Sequence, residues 1–267
     1  MSDSAPIYDR NGITVYCADN RNLDLPLADL ILTDPPYSET THAGARTNAL
    51  KATPPDGAGV QRFLQGGNAA LPLGIDFDSF SIADLDACFA RLAPLARRWL
   101  VSFLDWRHTT RLEAAPPDGL RFVRFGVWVK PNAAPQFTGD RPGPGWESIA
   151  FLHKDGGRMA WNGGGRHGVY TCNTAHKDHR LSDHPNAKPL PLLAQLIKDF
   201  SDPGDLVLDP FGGSGAVAAA ALLTGRRCVI VERDAAHCAA LVHWLERGRP
   251  LRVAASADLG PLFDEAA

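Results

Sequence analysis

Residues 205–215 read Asp-Leu-Val-Leu-Asp-Pro-Phe-Gly-Gly-Ser-Gly, an apolar strand running into a glycine-rich turn. Ala216–Leu223 then has helical composition, Cys228–Glu232 (Cys-Val-Ile-Val-Glu) reads as a second strand, and Ala235–Arg247 as a second helix. Strand, turn, helix and strand in this order predict a parallel β-α-β unit. Gly212, Gly213 and Gly215 let the backbone approach a ligand closely, and the helix start beyond them offers free N–H groups. Glu232 ends the second strand, 17 residues after Gly215. A carboxylate there can accept hydrogen bonds from both hydroxyls of a ribose. The combination predicts a nucleoside cofactor. No Gly-Lys-Ser/Thr follows, which excludes a Walker-type phosphate loop, and the full Gly-x-Gly-x-x-Gly of a pyrophosphate-binding site is missing.

Outward from this unit, strand and helix patterns alternate. Strands are expected at Ile13–Cys17, Ala28–Thr33, Trp99–Leu104, Phe122–Lys130 and Glu147–Lys154. Helices are expected at Ser81–Ala96, His108–Ala114 and Pro189–Phe200, the last with proline in its first turn. With the two strands of the glycine unit this predicts an α/β fold. It is a Rossmann-like, mainly parallel seven-stranded sheet covered by helices on both faces, in a single domain over 1–267. Residues 38–76 are rich in Gly, Ala, Thr and Pro without any period. A loop of that length in a compact domain is often a functional lid, so a mobile loop is expected there.

Asp34-Pro35-Pro36-Tyr37 closes the strand Ala28–Thr33. Two prolines cannot continue a central ladder. The residue types suit one kind of chemistry. An exocyclic amine on an aromatic base is a poor nucleophile, because its lone pair is delocalised into the ring. The Asp34 carboxylate and the Pro35 carbonyl, stiffened by Pro36, can each accept one of its N–H bonds and free the lone pair. Tyr37 offers a flat face on which an extruded base can stack, worth ~1–3 kcal/mol. Asp34, the glycine turn and Glu232 all fall at strand ends, where ligands sit in parallel sheets.

These residues resemble the amino-methyltransferases of DNA, which use S-adenosyl-L-methionine. Asp34–Tyr37 is similar to their catalytic motif and Asp209–Gly215 to their cofactor motif. His184-Pro185-Asn186-Ala187-Lys188-Pro189 resembles the His-Pro-Thr-x-Lys-Pro segment before the cofactor strand, with Asn186 in place of Thr. The catalytic motif precedes the cofactor motif, the order of the permuted beta group. The resemblance spans roughly residues 13–247 and implies the following roles. Phe211, Gly212 and Gly213 pack against the cofactor, and Gly215 lets the helix start close to it. Asp209 and Ser214 lie near its methionine end, Lys188 meets its carboxylate, and Glu232 takes the ribose hydroxyls. Asp19 lies where such enzymes hydrogen-bond the adenine amine of the cofactor. The Asp form of the catalytic tetrapeptide is typical of enzymes acting on adenine N6, whereas cytosine-N4 enzymes more often carry Ser. The implied activity is methylation of adenine N6 in double-stranded DNA on a flipped base. The alternatives are cytosine N4, or a silent prophage-type remnant that binds only cofactor or DNA. A homodimer and a cognate restriction endonuclease are partners that the resemblance allows.

Composition fits this reading. The chain has 267 residues, 45% hydrophobic and 21% charged, with a formal charge of −3. It is not a strongly basic protein that coats nucleic acid, but charge is uneven. Residues 91–130 hold eight Lys/Arg against three Asp/Glu, and residues 151–188 six against three. The polar, glycine-rich segment 155–186 lies where the family carries its target-recognition segment. Arg158, Arg166, Lys177 and Arg180 in it are candidate DNA contacts. Arg46, Lys51 and Arg62 in the 38–76 loop are candidate phosphate contacts. His167, Cys172, His176, His179 and His184 match no standard zinc spacing, so no metal is expected. Five scattered cysteines, a polar N-terminus and the lack of a long apolar run predict a cytoplasmic protein without a membrane span.

Overall fold

The computed structural model describes residues 5–37, 80–133, 135, 140–174 and 187–247. Among these, nine strands form one sheet. They are β1 (Tyr8–Arg10), β2 (Ile13–Cys17), β3 (Ala28–Thr33), β4 (Ala96–Leu104), β5 (Leu120–Val129), β6 (Trp146–Lys154), β7 (Val169–Thr171), β8 (Leu206–Asp209) and β9 (Arg227–Glu232). Their spatial order is β1-β2-β9-β8-β3-β4-β6-β5-β7. Only the β1–β2, β4–β6 and β5–β6 pairs are antiparallel, so β1 and β6 oppose seven strands that share one direction. The expected count of seven strands is thereby corrected to nine. The additional β1 and β7 have three residues each, too few to show an alternation, and both are edge strands.

Among the described residues five α-helices cover the sheet: α1 (Ile82–Leu92), α2 (Trp106–Ala114), α3 (Leu190–Phe200), α4 (Ala216–Leu223) and α5 (Ala235–Arg247). Leu85, Phe89 and Leu92 of α1 and Leu112 of α2 pack on one face, against Ile31, Leu100 and Leu208. Leu192, Leu193, Leu196 and Ile197 of α3, the alanines of α4 and Leu241 of α5 pack on the other, against Leu30, Val101 and Val207. Successive residues of a strand point to opposite faces, so one apolar run serves both layers. Helix α1 starts at a capping box: Ser81 Oγ accepts from the Asp84 N–H at 3.1 Å, and Asp84 Oδ2 accepts from the Ser81 N–H at 2.9 Å. Helix α4 is buried from Ala216 to Ala221; small side chains let it lie between α3 and the sheet. Buried Arg226 closes the C-terminal ends of both helices, donating to the carbonyls of Ser201 (2.6 Å) and Thr224. Cations are favoured at such ends.

From β8 the chain passes to β9 on one side, and from β3 to β4 on the other. The neighbours β3 and β8, paired at Leu30↔Val207 and Ile31↔Leu208, therefore mark the point where strand order reverses. Open parallel sheets form their ligand crevice there.

The described part of 155–186 is docked rather than free. β7 extends the β5 edge, and the Trp128 indole N–H donates to the Cys172 carbonyl at 2.8 Å. Asn162 Nδ2 donates to the Ser201 carbonyl at 2.9 Å. Buried Asp199 on α3 accepts from Arg166, from the Tyr170 hydroxyl at 3.1 Å and from Gln195 at 2.8 Å. Asp199→Ala is expected to cost ~1–3 kcal/mol of unfolding stability by urea titration, because Tyr170 is left with a buried unpaired hydroxyl. The half-exposed Arg166 can return to water, which keeps the loss below that of a fully buried pair.

Candidate active site

The glycine turn is built by its own packing. Asp209, the last residue of β8, is buried, and its Oδ1 accepts from the Phe211 N–H at 3.1 Å. The Gly212 N–H donates to the Val231 carbonyl at 2.8 Å. A Cβ on Gly212 would lie 2.7 Å from Ile230, and one on Gly215, which has φ +77°, 2.3 Å from Leu241. Only glycine lets the turn sit this close to β9 and α5. Glu232 ties the turn to the end of β9: its Oε2 accepts from the Gly213 N–H at 2.6 Å and its Oε1 from the Asp234 N–H at 2.7 Å. Each carboxylate oxygen has a second acceptor direction, so Glu232 can still take two hydroxyls. Phe211 meets Phe80 edge to face, with ring centroids 5.8 Å apart.

The diproline corner stands next to this turn, at the end of the neighbouring strand β3. Asp34 Oδ2 accepts from Lys188 Nζ at 2.5 Å. Asp34 Oδ1 is buried and has no hydrogen-bond partner among the described residues. The Tyr37 hydroxyl donates to Glu147 Oε2 at 2.9 Å and accepts from Lys188 Nζ at 3.4 Å. Lys188 also pairs with Glu147 Oε2 at 3.3 Å, and Lys130 pairs with Glu147 Oε1. The Lys188 ammonium lies 4.9 Å from the Phe103 ring centroid and 5.4 Å from that of Tyr37. Asp34, Lys188, Glu147, Lys130 and Tyr37 thus form one network with two anions and two cations.

Burial sets the protonation of these groups, and neighbouring charges adjust it. Burial pushes the Asp34 carboxyl above its usual range against the pull of Lys188. Burial also opposes ionisation of Glu147, but Lys188 and Lys130 hold it at about 2. The Tyr37 phenol is raised by burial and then by Asp34 and Glu147. Lys188 loses solvation on burial, yet Asp34 and Glu147 raise it overall. Asp209 is pushed up to about 8, by burial first and by the charges of Asp34 and Glu232.

The remaining sequence candidates take varied places. Asp19 caps a short turn over Asn20–Asn22, accepting from the Arg21 N–H at 2.9 Å and pairing with the exposed Arg21 guanidinium. Buried Ser214 lies within the glycine turn. Lys188, expected at the cofactor carboxylate, engages Asp34 and Glu147. Arg158 is exposed, and Arg166 is held by Asp199. Arg46, Lys51, Arg62, Lys177 and Arg180 lie outside the described residues, as do the 38–76 segment and residues 175–186. The Phe80 N–H donates to the Tyr37 carbonyl at 3.1 Å, so the chain leaves and rejoins the described structure at the corner itself. Among the described residues no group of three His, Cys, Asp or Glu could hold a metal ion. Sequence reasoning missed Glu147 and Lys130. Their signal was weak: a lone acid at the start of one buried strand and a lone lysine at the end of its partner.

The raised Asp209 carboxyl makes a signed prediction. Its folded value of about 8 exceeds the unfolded one, so its contribution to stability is complete at acid pH and is lost as pH rises through 8. Asp209→Asn keeps an acceptor for Phe211 but does not titrate. Its melting temperature should fall less between pH 5 and 9 than that of the parent chain, as measured by differential scanning calorimetry.

Comparison with known proteins places the chain in a family. The DNA methylase family model, N6_N4_Mtase, matches residues 28–243. The DNA adenine methyltransferase YhdJ of Escherichia coli (strain K12) is 46% identical over 50 residues, which cover 19% of this chain and 17% of that protein. The chain therefore spans less than a quarter of the curated relatives it matches. Among solved structures, the M1.HpyAVI-SAM complex has a TM-score of 0.60 at 22% identity, covering 86% of this chain and 98% of that one. PvuII DNA methyltransferase (cytosine-N4-specific) has a TM-score of 0.63 at 14% identity, covering 91% and 89%. At these identities the structures establish the shared fold. The family model extends from β3, which carries the diproline corner, into α5, beyond Glu232, and on this match the chain belongs to the N6_N4_Mtase family of DNA methylases.

Proposed function

We propose that this protein transfers a methyl group from S-adenosyl-L-methionine to the exocyclic amine of a base flipped out of double-stranded DNA, with adenine N6 as the acceptor. The observation that carries the reading is Asp34 Oδ1, a buried carboxylate oxygen without a hydrogen-bond partner among the described residues, beside the glycine turn. A buried acceptor with nothing to accept is costly, and a substrate N–H relieves that cost.

The residues fit the cofactor. Glu232 has acceptor directions left for two ribose hydroxyls, and Phe211 and the glycine turn line the crevice beside it. When bound, S-adenosyl-L-methionine supplies a methyl group activated on a positively charged sulfur. The chain does the rest by placement. Asp34 Oδ1 takes one N–H of the amine and the Pro35 carbonyl takes the other, which frees the nitrogen lone pair. Tyr37, its hydroxyl fixed by Glu147 and Lys188, stacks on the base. Asp34 must be ionised to act, and burial has raised its protonation range, so activity is expected to fall on the acid side.

The aspartate at the head of the tetrapeptide favours adenine. Cytosine N4 on the same scaffold is the second reading, favoured by the fold shared with the cytosine-N4-specific PvuII enzyme. Digestion of methylated DNA to nucleosides separates the two products.

Asp34→Ala is expected to lower methyl transfer by ~10²–10³-fold or more while leaving cofactor affinity nearly intact. Turnover retained in that variant refutes the assignment. Glu232→Ala is expected to weaken S-adenosyl-L-methionine binding by ~1–3 kcal/mol in calorimetry, the scale of hydrogen bonds to a charged group. Unchanged affinity contradicts the ribose placement.

A further inference from the structure

We propose that Glu147 is a positioning residue for this methyl transfer: by sharing the Lys188 ammonium with Asp34 and holding the Tyr37 hydroxyl, it keeps Asp34 Oδ1 open to the substrate amine. The inference rests on the reading of the site given above and adds a residue that none of its motifs contains.

An ammonium has three N–H donors. Those of Lys188 have three acceptors: Asp34 Oδ2 at 2.5 Å, Glu147 Oε2 at 3.3 Å and the Tyr37 oxygen at 3.4 Å. None is left for Asp34 Oδ1, although that oxygen belongs to a carboxylate Lys188 already touches. Without Glu147 one donor is released, and the unfilled acceptor beside it is Asp34 Oδ1. Lys188 would then chelate the carboxylate and occupy the position the amine needs. Tyr37 would lose the acceptor that fixes its ring at the same time.

Lys130 sets how strongly Glu147 competes. It pairs with the other carboxylate oxygen, so Glu147 carries one cation on each side and draws only part of the Lys188 charge. Lys130 directly follows β5 and Glu147 is the second residue of β6, opposite Trp128, so the antiparallel strand pair brings both to one end of the sheet. Lys188 reaches the same point from just before α3. The groups facing Asp34 are Lys188, Glu147 and Tyr37 on one side and Asp209 of β8 on the other.

The two neighbours of Lys188 therefore predict shifts of opposite sign in the pH profile. Glu147→Gln removes a negative charge near Asp34 and leaves Asp34 as the one anion paired with Lys188 in the network, so the acid limb of kcat should move to lower pH. Lys130→Met leaves Glu147 unbalanced and draws Lys188 away from Asp34, so the acid limb should move to higher pH. Methyl transfer from labelled S-adenosyl-L-methionine to unmethylated mixed-sequence DNA would be measured from pH 5 to 9, with cofactor affinity measured in parallel by calorimetry. Glu147→Gln is expected to lose ~10–100-fold in plateau kcat, with cofactor affinity within about twofold of the parent chain. Loss of kcat with an unmoved acid limb would reduce Glu147 to a structural role and overturn the proposal, and so would parent-like kinetics. If Glu147→Gln does not fold, Lys130→Met decides: an acid limb that stays in place or moves down overturns it. A parent chain that methylates no DNA would sink the functional reading itself, whereas an active parent with unshifted variants sinks only this inference.

Discussion

The pairing of β3 with β8 is the constraint on which the molecule depends. Two parallel strands leave it in opposite lateral directions, one toward β4 and the other toward β9. Their connections cannot both cover the crevice at the carboxyl ends of these strands. The diproline corner extends one strand end and the glycine turn the other. Strands in a sheet lie about 4.8 Å apart, so the two motifs are neighbours because the backbone ladder makes them so. The 174 residues between Asp34 and Asp209 in the chain do not affect that distance.

The corner itself is governed by a balance of buried charge. Lys188 is almost fully buried and survives there because two carboxylates share it. Neither carboxylate is neutralised alone, since Lys130 completes the set. The network has enough charge to keep Asp34 in place and too few donors to cover both of its oxygens. Most buried acceptors of a folded chain are satisfied. This site leaves an oxygen unmatched beside a ring that is held at its hydroxyl.

The glycine turn shows that one residue can answer two demands. Gly212 and Gly215 have no room for a side chain because of Ile230 and Leu241, whatever ligand lies on the other side. Glu232 likewise braces the Gly213 backbone while keeping acceptor directions for a ribose. Packing therefore selects the same residues that the proposed cofactor would require. This is why the turn stands out from residue types alone, although part of the reason for those types is internal.

The sequence by itself determined the fold class, the central strands, the helices on both faces and the two motifs at strand ends. Each of these is written locally: apolar runs set the strands, and glycines and prolines end them. It did not determine the short edge strands β1 and β7, because three residues hold no period and only a neighbouring strand makes them a ladder. Nor did it determine the partners of single charged residues. Lys188 sits in a motif whose resemblance implies a cofactor contact, and its pairing with Asp34 is set by the fold. Arg166, a candidate DNA contact, is half-exposed and paired with Asp199, a partner that its local sequence does not name. Glu147 and Lys130 carry no motif, and the antiparallel β5–β6 pair brings them together. Strand and turn signals are short-range and survive in the chain order. A buried ion pair depends on which distant elements meet, and tertiary packing alone decides that.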